Sequence, residues 1–119
     1  MKKVAIINYN FGRNEPHSEL CKMLQKILET EKIESDIVDT LAGDVIRQYD
    51  VFIFVTRKLL SEANWVKGLS PGKMVVVWTL DVYKEDKERS VLILQKGDHA
   101  QLRHLIEEIK SELAKEVRL

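Results

Sequence analysis

A polar loop near the start of the chain contains residue types that can hold a phosphate group. The apolar run at residues 4–8 leads into this loop, and an amphipathic segment begins at Ser18. Unpaired N–H groups and partial positive charge at a helix N-terminus favour bound anions. Gly12 would allow close backbone approach, Arg13 would add positive charge, and Asn14 or Ser18 would cap the helix.

The same loop also fits a turn that holds no ligand. Asn14 and Ser18 are common helix N-caps without any phosphate, and the Glu15 carboxylate would repel an anion. Neither GxGxxG nor GxxxxGK[ST] occurs in the chain. Both interpretations of the loop therefore stay open at the level of sequence.

The histidine and cysteine residues do not form a pattern typical of a metal or nucleophilic centre. Cys21 is the single cysteine and lies beside the apolar stripe of the first helix, so we expect it to be buried. The alternative is a reactive thiol, because a helix N-terminus lowers the pKa of a thiol. His99 and His104 are five residues apart on the last helix and face different directions. His17 has no nucleophile beside it in sequence. The sequence assigns no catalytic residue and leaves open whether the protein is an enzyme.

Composition limits the classes of partner. The 119 residues suit one domain, 1–119, and 19 basic side chains balance 19 acidic ones. This balance argues against nucleic acid or an anionic membrane as partner. No apolar run reaches the ~18 residues of a membrane span, so we expect a cytoplasmic protein. The charge-dense stretch at residues 84–89, KEDKER, reads as a solvated loop.

Hydrophobic periodicity predicts an α/β fold. Strands are predicted at residues 4–8, 33–39, 51–55, 74–80 and 91–95, and helices at 18–30, around 59–67, and from 98 towards the C-terminus. Strands that are apolar throughout indicate a mostly parallel sheet with helices on both faces. Only ten residues separate Leu80 from Val91, so we predict a compressed crossover at this edge, with an antiparallel hairpin as the alternative.

Ligands of open parallel sheets bind beyond the carboxyl ends of the strands. The loops predicted at that edge are 8–17, 56–65 and 79–90. Several aromatic residues fall in or near them, so the rings would either stack on a ligand or form a protein contact. The opposing interpretation places Trp78 in the core and the other rings singly on the surface.

Residues 1–56 resemble the opening of flavodoxin-like proteins, most closely those of the FMN-reductase branch. The segments that carry the resemblance are VAIINYNFGRNEPHSELCKMLQKI, ESDIVDT and YDVFIFVT. It implies a three-layer sandwich with strand order 2-1-3-4-5 and FMN as cofactor. The implied phosphate loop contains Asn10, Gly12, Asn14 and Ser18, and the flavin loops begin at Thr56 and Thr79. The chain has fewer hydroxyl residues in its first loop than that family has.

The whole chain is similar in size and strand rhythm to response-regulator receiver domains. Thr79 and Lys96 match the switch residue and the lysine of that family. Receivers carry acidic residues after the first strand and a phospho-accepting aspartate at the end of the third. This chain has Asn8 at the first place and Val55 with Thr56 at the second. The resemblance therefore implies a degenerate receiver that cannot be phosphorylated at the usual position.

Two function hypotheses follow from these resemblances. One is a domain that binds FMN or another phosphorylated ligand, in which the flavin would supply the redox chemistry. The alternative is a non-catalytic module that needs no cofactor and binds a protein partner. Both depend on fold analogy, and the sequence does not determine the oligomeric state.

Overall fold

The computed structural model describes residues 3–8 and 18–115. Within them lie five strands and four α-helices, which we number in chain order. The strands are β1 (Val4–Ile7), β2 (Ser35–Val38), β3 (Val51–Phe54), β4 (Met74–Thr79) and β5 (Leu92–Gln95). The helices are α1 (Ser18–Thr30), α2 (Gly43–Ile46), α3 (Leu60–Leu69) and α4 (His99–Ala114), and two 3-10 helices span Arg57–Leu59 and Lys84–Glu88.

The strands form one parallel sheet in the order β2-β1-β3-β4-β5, which confirms the predicted fold class and strand order. The antiparallel hairpin considered for the last edge is wrong, because β5 pairs parallel to β4, with Val76 opposite Leu92. The chain returns across this edge through the 3-10 helix Lys84–Glu88 alone. Five residues in this compact helix are enough, so no full crossover helix is needed.

Apolar side chains cover both faces of the sheet. Val4, Ile6, Val51 and Ile53 point to one face, and Ala5, Ile7, Phe52 and Phe54 to the other. Helices α1 and α4 pack on the first face, and α2 and α3 on the second. Because both faces of the sheet are buried, the central strands do not alternate apolar and polar residues as a half-exposed strand does.

The start of α4 agrees only partly with the sequence pattern. Asp98 is the N-cap, and its Oδ1 accepts hydrogen bonds from the N–H groups of Ala100 and Gln101. The three-residue spacing of Asp98 and Gln101 predicts a capping box, but the Gln101 side chain does not complete it. Its Oε1 instead accepts from the backbone N–H of Gln95 and links α4 to the end of β5. No helix in the described ranges is both long and apolar enough to cross a membrane.

Candidate functional site

Lys96 connects three strands at the carboxyl edge of the sheet. It follows β5, and its backbone N–H donates to the carbonyl of Thr79 at the end of β4 over 2.7 Å. Its Nζ extends further and donates to the carbonyl oxygen of Val55, directly after β3. Because β4 lies between β3 and β5, one side chain bridges the ends of non-adjacent strands.

The environment of the Lys96 ammonium is poorly hydrated. Burial lowers the pKa of Lys96, and the nearby Cys21 thiol opposes that shift. The Trp78 ring lies under the side chain, with Nζ 5.8 Å from the ring centroid. This cation–π contact and the Val55 carbonyl partly replace the water that the ammonium has lost.

The first predicted loop is anchored at both of its described ends. Asn8 Nδ2 donates to Ser18 Oγ over 3.1 Å, which ties the end of β1 to the first residue of α1. The backbone N–H of Asn8 donates to the Val38 carbonyl. The other predicted phosphate-loop residues lie outside the described residues: Asn10, Gly12, Arg13 and Asn14. Phosphate binding there stays a prediction.

The two predicted threonines lie at the carboxyl edge but in different environments. Phe54 of β3 pairs with Val77 of β4. Thr56 lies two residues after Phe54 and Thr79 two residues after Val77, so both threonines are at the carboxyl edge. The Thr56 hydroxyl accepts from the Lys58 N–H and caps the 3-10 helix Arg57–Leu59. The Thr79 side chain is buried, with 4% of its surface exposed. Their assignment as ligand-binding residues stays a prediction.

Cys21 is fully buried, as expected from its place beside the apolar stripe. Its Sγ lies 4.0 Å from the Ile7 carbonyl oxygen at the end of β1. Burial raises the pKa of the thiol to about 11, and the positive charge of Lys96 offsets only part of this rise. The thiol is therefore protonated at neutral pH and is a packing group rather than a nucleophile.

Asp86 organises the loop after β4, and the sequence pattern did not reveal it. The KEDKER stretch is not simply a solvated loop, because the Asp86 side chain at its centre is 2% exposed. The Arg57 guanidinium binds both carboxylate oxygens at 2.8 Å. Arg89 Nε donates to Oδ1 over 3.0 Å, and the Tyr83 N–H to Oδ2 over 2.7 Å.

These contacts hold the pKa of Asp86 far below its usual value. The hydrogen bond from Arg57 is the largest cause, burial opposes it, and Tyr83 and Arg89 lower the pKa further. Arg57 also donates to the Asp81 carbonyl and lies 4.5 Å from the centroid of the Tyr83 ring. The loop is thus fixed to the end of β3 by one buried, fully paired carboxylate.

Three apolar side chains of this loop are exposed beside that anchor. Leu80 is 69% exposed, Val82 39% and Tyr83 50%. Trp78 behaves differently, since it is 3% exposed and belongs to the core, which favours the core interpretation of this residue. The predicted second loop is mostly helical, and Trp65 lies on α3 rather than in a ligand-facing loop.

Across residues 3–8 and 18–115, no group of three or more His, Cys, Asp or Glu side chains could hold a metal ion. The carboxyl edge instead presents amide, hydroxyl, ammonium and backbone groups that largely bind one another.

A scan against protein-family models and a search of curated proteins each found no match to this chain. A search of solved structures matched the orphan response regulator HP1043 of H. pylori, with a TM-score of 0.63. The identity is 19%, and the match covers 93% of this chain and 96% of that one. The chain has a receiver-like fold. At this identity the similarity establishes the fold alone, and the FMN-reductase branch receives no support from it.

Replacing Asp86 by Asn should destabilise this receiver-like fold by about 2–3 kcal/mol at neutral pH, because Arg57 and Arg89 lose their buried anionic partner. The pKa of Asp86 is lower in the folded protein than in the unfolded chain, so these ion pairs stabilise the fold fully above the pKa of an unfolded aspartate, about 4. The stabilisation is lost as the pH falls below that value. In urea unfolding, the difference in free energy of unfolding between wild type and Asp86→Asn should therefore be smaller at about pH 3 than at about pH 7.

The matched control is Asp39→Asn, at an exposed aspartate directly after β2, which should leave the unfolding free energy unchanged. Equal stability of the wild-type and Asp86→Asn proteins at neutral pH would show that the Asp86 ion pairs contribute nothing net.

Replacing Lys96 by Met should lower the free energy of unfolding by about 1–2 kcal/mol, because the Val55 carbonyl loses its ammonium donor while the apolar stem is kept. Thermal and urea unfolding would measure the change. Lys84→Met, at an exposed lysine, is the control. A variant as stable as wild type would mean that the bridge across β4 is energetically neutral.

Proposed function

We propose that this chain, residues 1–119, is a receiver-like protein-interaction module that works without phosphorylation and without a bound cofactor. The observation that carries the proposal is the hydrogen bond from the Lys96 ammonium to the Val55 carbonyl. In the receiver pattern a lysine after the fifth strand accompanies a phospho-accepting aspartate at the end of the third. Here the lysine is retained and a backbone oxygen is its partner.

The residue types at the carboxyl edge support this proposal. Formation of an acyl phosphate needs a carboxylate as acceptor, and the accompanying Mg²⁺ prefers further oxyanion ligands. Val55 and Thr56 follow β3, and Asn8 follows β1, so these places offer a methyl group, a hydroxyl and an amide. None of the three side chains can form an acyl phosphate.

The loop after β4 supplies a surface suited to a protein partner. Leu80, Val82 and Tyr83 present apolar surface within four residues, and such a cluster is more informative than a single exposed side chain. Asp86 and Arg57 hold the loop in place before any partner arrives. A pre-organised surface loses less conformational entropy on binding, which favours recognition.

The flavin-binding hypothesis has less support. The matched structure is that of an orphan response regulator, which favours the receiver-like alternative over the FMN-reductase branch. The Thr79 side chain, implied by the FMN-reductase resemblance to begin a flavin loop, is almost completely buried. We therefore favour the protein-binding alternative over FMN binding.

Incubation with acetyl phosphate and Mg²⁺ should leave the intact mass of the purified protein unchanged, because the acceptor carboxylate is missing. Titration with FMN should likewise give no saturable quenching of Trp fluorescence. A receiver with a complete acidic site serves as positive control for the phosphorylation assay. A hydroxylamine-labile phosphoryl adduct would overturn the proposal, and saturable FMN quenching would revive the flavin hypothesis.

Replacing Leu80 by Ser should abolish capture of the partner in crosslinking of the tagged protein in its native cells, because the most exposed apolar side chain of the loop is lost. Removing a central apolar anchor typically weakens an interface by about 2 kcal/mol or more. Crosslinked proteins would be identified by mass spectrometry and compared with those of wild type.

Leu69→Ser is the matched control, since Leu69 is 55% exposed but ends α3, away from the loop after β4. It should retain the wild-type crosslinks. If Leu80→Ser retained them and Leu69→Ser lost them, the partner surface would have to be reassigned.

A further inference from the structure

A groove runs along β5, which forms one edge of the sheet. In the described part of the chain, β5 pairs with β4 alone, so its other side has no strand beside it. A cavity of about 460 Å³ is lined by all five residues 90–94. Successive side chains of a strand point to opposite faces of the sheet, so a cavity that touches all of them follows the outer edge of the strand. The loop after β4 adds Val82 and Lys87 to its walls, and α4 adds Gln101 and His104.

The backbone of Ile93 points its hydrogen-bonding groups towards this outer edge. In a parallel pair, the backbone groups of successive residues point alternately towards the partner strand and away from it. The N–H of Lys96 donates to the Thr79 carbonyl of β4, and Gln95 lies opposite Thr79. Lys96 and Leu94 therefore face β4, whereas the N–H and C=O of Ile93 face away from the sheet.

The carboxyl end of this edge is closed by a side chain. The N–H of Gln95 also faces outwards, and Gln101 Oε1 accepts its hydrogen bond over 3.1 Å. At the opposite edge of the sheet, the Ser35 carbonyl of β2 accepts from Gln25 Nε2 over 2.9 Å. A glutamine thus caps one position on each edge strand, and the uncapped donor and acceptor of Ile93 remain in the middle of β5.

The two edges of the sheet differ in charge. Edge strand β2 contains Asp36 and is flanked by Glu34 and Asp39, and all three side chains are exposed. Charged side chains on an edge strand discourage pairing with another chain. Strand β5 has the sequence LILQ, without a charged residue. The edge at β2 is therefore protected, and the edge at β5 is suited to accept another strand.

The groove beside β5 has positive character. Lys87 is exposed, and within the described ranges no carboxylate forms an ion pair with it. The charge of Arg89 is compensated by Asp86. Basic residues stand at both ends of β5, Arg89 before it and Lys96 after it, so antiparallel pairing with a second copy would bring like charges together. An acidic segment of a different protein complements the groove better.

We propose that the partner of this module adds an extended, acidic segment as a further strand to the outer edge of β5. The segment would exchange main-chain hydrogen bonds with Ile93 and place a carboxylate beside Lys87. Main-chain hydrogen bonds supply the affinity of such strand addition, and side chains supply its specificity. Val82 lines the groove and is also exposed on the loop after β4, so one partner can contact both. This inference rests on the proposed partner-binding function, because it names the kind of segment that is bound.

The test uses the blocked heptapeptide TVTETVT as probe and ¹H–¹⁵N NMR of the full chain as readout. The sequence of the peptide is the same in both directions, so the test does not presuppose parallel or antiparallel addition. Saturable binding should shift the Ile93 N–H signal downfield and slow its exchange with solvent, because the donor gains an acceptor. The N–H of Ile37 on β2 also faces outwards, since the neighbouring Val38 carbonyl binds Asn8 of the sheet. Its signal should stay in place and serves as the internal control.

Two altered peptides and two variants separate the contributions of backbone and charge. The peptide with every backbone nitrogen methylated keeps its side chains but cannot donate hydrogen bonds, and it should not bind. Replacing the glutamate of the peptide by glutamine should weaken binding about threefold, and Lys87→Gln should weaken binding of the original peptide by about the same factor. Lys84→Gln, at an exposed lysine that does not line the groove, should bind like wild type.

The wild-type titration decides the proposal even if a variant fails to fold. No saturable shift of the Ile93 signal at millimolar peptide, or equal binding of the methylated peptide, would overturn strand addition. Equal affinity for the glutamate and glutamine peptides would overturn the acidic character of the segment. A shift of the Ile93 signal when the protein alone is concentrated would assign the edge to a second copy and contradict the proposal.

Failure of this inference differs from failure of the proposed function. If the peptide leaves the Ile93 signal in place while Leu80→Ser still abolishes the partner crosslinks, the partner binds the loop after β4 without strand addition. The inference then falls and the proposed function stands. If the signal stays in place and Leu80→Ser also retains the crosslinks, both are overturned.

Discussion

The two-sided burial of the parallel sheet is the constraint on which the rest of this structure depends. Each central strand projects apolar side chains to both faces, and the helices on those faces must exclude water from them. Polar groups are consequently confined to strand ends, helix ends and loops. The carboxyl edge gathers Asn8, Thr56, Thr79 and Lys96 because their strands run in the same direction.

Charge at this edge is satisfied within the fold itself. Asp86 binds two guanidinium groups and a backbone N–H, and Lys96 binds a backbone carbonyl over the ring of Trp78. A buried carboxylate without such partners would be strongly destabilising. The interactions of Asp86 also fix the loop after β4. The charged KEDKER stretch, which the sequence suggested was solvated, therefore holds the exposed apolar side chains of this loop in place.

The sequence allowed the strands, their order and the main helices to be predicted, but it did not identify the anchor of the candidate surface. A strand that is buried on both faces of the sheet has a continuous apolar sequence, as in β3. A helix that is buried on one face has an apolar stripe, as in α4. Asp86 lies among charged neighbours and has no periodic signal. Its partner Arg57 is 29 residues away, and only the parallel pairing of β3 with β4 brings the two together.

By itself, the sequence determined the layered α/β fold and the lack of an aspartate at the end of β3, because hydrophobic pattern and residue identity are local properties. Only the tertiary structure decided the parallel direction of β5, the bridge from Lys96 to Val55 and the groove along the outer edge of β5. Each of these depends on distances between residues remote in sequence. Such distances follow from how the helices and strands pack, not from the order of residues along any one of them.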